Sequence, residues 1–189
     1  MSYLDDFGLS SPSRKWPLLA LSLDDKCKQR DMDILHLQKV MRYFEYLRDT
    51  LELQYSNFKL GVVSYELEEN LQTLEESGLV EREKGKYVLT REGEELAGKL
   101  EKAFDKKDLQ KLVFAKQQLN DLTPDETMYF MYRLIPESQV HSTEFHRLEK
   151  KRDDLVRSLF LKGRINSNTA ARWLDMSEKD FLDLVRDDA

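Results

Sequence analysis

Ser64-Tyr65-Glu66-Leu67-Glu68-Glu69-Asn70-Leu71-Gln72-Thr73-Leu74-Glu75-Glu76-Ser77-Gly78 decides the fold, together with the residues that follow it, Leu79-Val80-Glu81-Arg82-Glu83-Lys84-Gly85-Lys86-Tyr87-Val88-Leu89. Ser64 is an N-cap residue, and Leu67, Leu71 and Leu74 recur at three- and four-residue intervals, so the segment reads as a helix with one apolar side. Gly78 supplies the C-terminal cap. Leu79-Val80-Glu81-Arg82 and Lys86-Tyr87-Val88-Leu89 then flank Glu83-Lys84-Gly85, a hairpin signal with glycine where positive φ is needed. Helix, turn and hairpin in this order predict a winged helix-turn-helix with the hairpin as the wing.

The helix that would enter a DNA groove is nevertheless acidic. It carries Glu66, Glu68, Glu69, Glu75 and Glu76 and no Lys or Arg. DNA affinity comes from cationic side chains that neutralise phosphates and release counterions, so five carboxylates oppose that use. The cations nearest to a duplex would be Arg82, Lys84 and Lys86 in the wing, diluted by Glu81 and Glu83. Two uses follow. The first expectation is that the wing touches DNA through those three residues; the alternative is that the five glutamates bind a basic protein partner.

Upstream, Trp16-Pro17 opens the apolar run Leu18-Leu19-Ala20-Leu21, with Pro17 expected in the first helical turn and residues 1–15 as a flexible arm. Asp31 or Asp33 can cap the next helix, whose stripe is Leu35, Leu37, Val40, Met41, Phe44 and Leu47. There Phe44 points to the core, and Tyr43 and Tyr46 lie nearer its edge. Phe58 to Val63 reads as a short strand-like connection. Thr90 can cap a helix from Arg91 to about Phe104. The winged-helix domain is therefore placed at 16–104 and a helical connector at 105–140. Within the connector, Thr123-Pro124-Asp125-Glu126 is a strong helix start, combining an N-cap, a first-position proline and a capping-box glutamate. Met128 to Tyr132 is apolar around most of that helix, as a central core helix would be.

The last expected domain, 141–189, is helical. One long amphipathic helix from about Thr143 to Lys162 is predicted, ended by Gly163, and it is the expected homodimer surface. Asn166 or Ser167 then caps Thr169 to Leu174, and Asp175-Met176-Ser177 makes a tight turn into Phe181 to Val185. The small pair Ala170-Ala171 before a short turn suits two closely crossing helices, a C-terminal helix-turn-helix region. Arg164, Arg172 and Lys179 flank it, but its last helix holds Glu178, Asp180 and Asp183. The expected fold class is thus mainly α with a small β-hairpin wing.

The segment from about Trp16 to Leu100 resembles a family of bacterial and archaeal winged-helix proteins that includes SocA-like (Panacea-domain) antitoxins. The resemblance rests on Leu35-His36-Leu37-Gln38-Lys39, on Gly61-Val62-Val63-Ser64, on Ser77-Gly78-Leu79-Val80, and on Tyr87-Val88-Leu89-Thr90 with Gly93. The family commonly has Gly-Pro-aromatic-Ser where this chain has Gly61-Val62-Val63-Ser64, and its version of the acidic helix is acidic too. The tail, through Gly163-Arg164-Ile165-Asn166, Ala170-Ala171, Asp175-Met176-Ser177 and Phe181, resembles a small antitoxin-like helix-turn-helix. Both resemblances imply a non-enzymatic regulatory protein, a transcriptional regulator or antitoxin-like, that contacts DNA.

Composition narrows the classes. In 189 residues, 35% are charged and the formal net charge is −6, and neither half has the basic excess of a dedicated nucleic-acid binder. The single cysteine, Cys27, excludes an intramolecular disulfide and a Cys-based zinc finger. Its neighbours Lys26 and Lys28 could lower its pKa, but no catalytic partner is organised around it. No apolar run is long enough to span a bilayer, and Asp5 and Asp6 stand where a signal peptide needs base, so a cytoplasmic protein is expected. His141 and His146 are five apart, about 140° around a helix, and match no metal-ligand spacing. His36 reads as a packing or surface residue. With no phosphate loop, nucleophile elbow or metalloprotease motif, no enzyme, cofactor or metal is expected.

Overall fold

A computed structural model describes residues 11–23, 30–58, 61–139 and 142–187. Cys27, His141 and the first ten residues of the expected arm lie outside the described residues. The protein is mainly helical, with ten α-helices and four short strands among the described residues. It divides into two compact units, residues 1–56 with 63–121 and residues 57–62 with 122–189.

The first unit is built around α1, Pro12–Ser22. Leu18, Leu19, Ala20 and Leu21 are wholly buried. This helix begins before the Trp16-Pro17 start expected from sequence, so residues 12–15 are not an arm, and Pro17 lies inside the helix rather than in its first turn. Proline there has no N–H to give the Ser13 carbonyl. A distant side chain supplies one instead: buried Asn70 donates to that carbonyl at 3.4 Å and accepts from Arg14 Nε at 3.1 Å.

Helix α2, Ile34–Arg48, is capped by Asp33, which accepts from the His36 N–H at 2.8 Å. Leu37, Val40, Met41 and Phe44 of its predicted stripe are buried, but Leu35 is exposed. The expected connection from Phe58 to Val63 is a short two-stranded ribbon, β1 (Ser56–Phe58) with β2 (Gly61–Val63). Next come α3 (Tyr65–Glu76), β3 (Val80–Glu83), β4 (Lys86–Leu89) and α4 (Arg91–Ala103). The β3–β4 pair is antiparallel, Val80 opposite Leu89 and Glu83 opposite Lys86. Its turn residues Lys84 and Gly85 both have positive φ, 52° and 83°, as a two-residue turn matched to strand twist requires. Met32 adds a one-residue bridge to Tyr87, with N–O distances of 3.2 and 2.8 Å. Helix α1 packs on α2, α3, α4 and β4.

Gly93 in the first turn of α4 is a packing requirement. A Cβ there would stand 2.0 Å from the Leu79 carbonyl oxygen. The approach is fixed by Thr90, whose hydroxyl donates to the Gly78 carbonyl at 2.7 Å and whose N–H donates to Leu79 at 3.1 Å. Helix α5, Lys106–Leu119, completes the unit against α2.

The second unit holds α6 (Pro124–Leu134), a 3-10 turn at Pro136–Gln139, α7 (Glu144–Glu149), α8 (Arg152–Leu161), α9 (Ser167–Trp173) and α10 (Glu178–Asp187). The residues expected as a connector are therefore shared between the units: α5 packs in the first, and α6 packs on α7 and α8 in the second. Thr123 and Glu126 form the capping box at the start of α6. Tyr129, Phe130, Met131 and Tyr132 are buried, with Trp173 edge-on to Tyr129 and Phe130.

The single long helix expected over Thr143 to Lys162 is two helices, interrupted at Lys150 and at Lys151 (φ −108°, ψ 15°). No glycine or proline demands this break, so tertiary contacts override local propensity. Arg147 on one side of it grips Asp125 in bidentate fashion at 2.6 and 2.8 Å, and Lys151 reaches the same carboxylate at 2.9 Å.

Candidate functional site: the acidic helix and its hairpin

Helix α3 is anchored by its back. Leu67, Leu71 and Leu74 are wholly buried and Asn70 nearly so. Its N-cap, Ser64, is also buried and clasped by Gln38, which accepts the Ser64 N–H at 2.8 Å and donates to the Ser64 carbonyl at 3.4 Å. This anchoring turns Tyr65, Glu68, Glu69 and Gln72 to solvent, spaced at i, i+3, i+4 and i+7 along one face.

The five glutamates are not equivalent. Glu66 accepts the Gln54 N–H at 3.1 Å, Glu68 accepts from Gln38 Nε2 at 3.1 Å, and Glu76 accepts from Gln72 Nε2 at 2.9 Å. Glu75 pairs with Arg82 Nε at 3.3 Å. The Glu69 carboxylate has no hydrogen bond or ion pair among the described residues. The hairpin cations are similarly divided. Arg82 also lies over the Tyr87 ring, 4.7 Å from its centroid. Lys86 pairs with Asp31 at 2.6 Å. Lys84 is exposed at the tip of the turn. Folding thus brings two of the three predicted wing cations onto carboxylates of the same unit.

Between α3 and the hairpin runs a groove of about 540 Å³, open to solvent, lined by Ile34, Tyr65, Glu68, Glu69, Gln72, Glu75, Arg82 and Tyr87. Three carboxylates face one guanidinium in it. Burial raises the Tyr87 pKa above its usual value, and the guanidinium of Arg82 opposes the shift. The groove unites four of the residues singled out in the sequence (Glu68, Glu69, Glu75 and Arg82) and omits Glu66, Glu76, Lys84 and Lys86. No family model, curated protein or solved structure matches this chain.

Elsewhere the sequence candidates are engaged differently. His36 Nε2 shares a 2.7 Å hydrogen bond with Asn120 Oδ1, and His146 is exposed. Among the described residues, no group of three His, Cys, Asp or Glu side chains could hold a metal ion, and no helix is long and apolar enough to cross a membrane. At the tail, Ser177 caps α10 by accepting the Asp180 N–H at 3.1 Å and donates to its carboxylate at 2.7 Å. Ser167 donates to Glu178, and Arg186 pairs with Asp183 at 3.6 Å.

Sequence reading missed the buried charges of the first unit. Lys116 is wholly buried and donates to the Leu23 carbonyl. Glu45 is 1% exposed, and one of its oxygens accepts the Leu53 N–H at 3.0 Å. Burial pushes its carboxyl up to about 7, against the opposing Leu53 N–H and Arg42. Burial also lowers Lys39 to about 8. A signal was present. Glu45 continues the Leu37, Met41 series at i+4, and Lys116 stands four residues from Leu112 and three from Leu119, so both occupy core register.

Proposed function

We propose that the first unit is a winged helix-turn-helix module that recognises a basic protein segment through its acidic helix, and that the protein is a non-enzymatic regulator. The winged reading is supported by the helix–hairpin order and by the Met32–Tyr87 bridge, which adds a third strand position beside β4. Winged folds serve both DNA and protein recognition, so the site has to choose between them. One observation carries the choice: the exposed face of α3 presents carboxylates, while Arg82 and Lys86 of the hairpin are already paired with Glu75 and Asp31. A duplex approaching this surface would meet unneutralised glutamates and a hairpin whose cations are largely spent on internal partners. A cationic peptide would meet complementary charge, which speeds encounter and selects against acidic competitors.

The test is fluorescence anisotropy with two labelled probes in one buffer, an arginine-rich peptide and a random-sequence DNA duplex, each at low and near-physiological salt. The peptide is expected to bind, and Glu69→Lys with Glu76→Lys is expected to weaken it at least tenfold while the fold persists. Duplex binding that falls steeply with salt and is lost on changing Arg82, Lys84 and Lys86 to Ala would overturn this reading in favour of DNA recognition by the wing.

A further inference from the structure

Polar side chains are concentrated in the interior where α2 runs into the segment 49–55. Glu45, near the end of α2, is 1% exposed, and one of its carboxylate oxygens accepts the Leu53 N–H at 3.0 Å. Five side-chain polar atoms of this stretch are buried without a hydrogen-bond partner: Arg42 Nε, Glu45 Oε2, Thr50 Oγ1, Glu52 Oε2 and the Tyr55 hydroxyl. Buried polar atoms are ordinarily paired, so a run of unpaired ones marks a region held closed at a cost.

The groups facing Glu45 do not accommodate an ionised carboxylate. Burial is the largest influence on it and pushes the carboxyl up to about 7, and the like charge of Glu52 adds to the shift. Arg42 opposes it, but that guanidinium lies over the Tyr55 ring, 5.2 Å from the centroid. Arg48 is engaged by Glu52 at 2.6 Å and by Asp108 at 3.2 Å. Burial and then Glu45 push the Tyr55 phenol well up, with Glu66 of α3 adding to the effect, so the phenol stays neutral. The segment itself has few ties. Thr50 N–H donates to the Glu45 carbonyl and Gln54 N–H to the Glu66 carboxylate, each at 3.1 Å, and Leu53 is buried while Leu51 is 71% exposed. Helix α2 has Leu37, Val40 and Phe44 wholly buried. When water has to reach the carboxylate, the segment therefore yields before the helix does.

We propose that Glu45 is a proton-operated latch: uncharged, it clasps the segment 49–55 to α2; ionised, it lets the segment swing out so that water reaches the carboxylate. The proton passes to solvent, and the bonds that break are the hydrogen bonds from Leu53 to Glu45 and from Gln54 to Glu66. Release also frees the Glu66 carboxylate in the first turn of α3, so the latch reaches the acidic helix. The latch goes beyond the recognition of a basic partner and stands whether or not that helix binds one.

The experiment is residue-resolved amide hydrogen exchange of the full chain from pH 6 to pH 9, each rate divided by the intrinsic rate at the same pH. Protection at Leu53 is expected to fall about tenfold between pH 6 and pH 8 and to level off above it, because the released carboxylate is ionised throughout while the clasped one ionises only near 7. Glu45→Gln keeps an oxygen for the Leu53 N–H and should make that protection independent of pH. Sub-denaturing urea separates the latch from unfolding of the whole unit: exchange at Leu53 should barely respond to it, whereas exchange at Phe44 should accelerate. Leu53 protection that is constant from pH 6 to pH 8, or that falls equally in Glu45→Gln, overturns the latch. So does a urea response at Leu53 as steep as at Phe44, since the segment would then open only with the rest of the unit.

Discussion

Two acidic helices, α3 in the first unit and α10 in the second, use their carboxylates in opposite ways. In α10 the charges serve the helix itself. Ser177 and Asp180 close its N-terminus, Glu178 accepts from Ser167, and Asp183 pairs with Arg186. Acid in a first turn also complements the helix dipole, so this pattern is what a short helix needs to form. In α3 the work of anchoring is done by uncharged groups on the other side: the three buried leucines, Asn70 and the Ser64–Gln38 clasp. Glu68, Glu69 and Glu75 are left facing a groove, and the Glu69 carboxylate has no hydrogen bond or ion pair among the described residues. Carboxylates that stabilise a helix and carboxylates that are available to a partner look alike in sequence and differ only in what they touch.

The comparison can be broken at several points. The largest effect is expected from Gly93→Ala, which places a methyl group 2.0 Å from a backbone oxygen that cannot withdraw without moving the start of β3. Overpacking of this kind costs about 3 kcal/mol. Urea denaturation should show that loss, and peptide binding should fall with it because the hairpin forms one wall of the groove. Gly98→Ala, which meets nothing within 4 Å, is the control and should be neutral or slightly stabilising.

Stability against pH should distinguish the two units next. Burial raises the folded-state pKa of Glu45 to about 7, above its unfolded value. Glu45 should therefore contribute most stability below the unfolded carboxylate pKa, a contribution of roughly 2 kcal/mol that is lost as pH rises through 7 and that Glu45→Gln makes independent of pH. In the second unit, Arg147 and then Lys151 hold Asp125 well below the usual carboxylate range. Its contribution has the opposite sign, present above the unfolded pKa and lost as pH falls through the lowered folded value. Proteolysis rates of the first unit at pH 5 and pH 8 would read the Glu45 trend, and urea denaturation of the second unit between pH 5 and pH 2 would read the Asp125 trend.

A smaller contrast lies in the helices themselves. Ser177→Ala removes the cap of α10 and should destabilise the second unit by about 1 kcal/mol in thermal denaturation. Glu69→Gln with Glu76→Gln in α3 should change stability by less than about 0.5 kcal/mol. A large loss from the glutamine pair would mean that the α3 carboxylates are structural, which would erase the distinction.

Much of this architecture is written locally. The Ser64 cap, the Gly78 stop, the Lys84-Gly85 turn and the Thr123–Glu126 capping box are each specified within a few residues, and such signals can be read directly. What was not legible depends on distant partners. Pro17 sits inside a helix because Asn70, more than fifty residues away, satisfies the carbonyl it orphans. The helix expected over Thr143 to Lys162 breaks so that Arg147 and Lys151 converge on Asp125. For the candidate site, the acidic residues were visible as a list, but the groove was not. That Arg82 faces Glu75, and that Tyr65 and Tyr87 face the same groove, follows only from how the hairpin folds against α3.

The most direct test of the central claim is the anisotropy of the labelled arginine peptide against the unmodified chain and against Glu69→Lys with Glu76→Lys, with the DNA duplex run alongside. The account predicts peptide binding that the charge reversal weakens at least tenfold, with no comparable duplex binding by the unmodified chain. Duplex binding by the unmodified chain, together with peptide affinity indifferent to the two reversals, would contradict it.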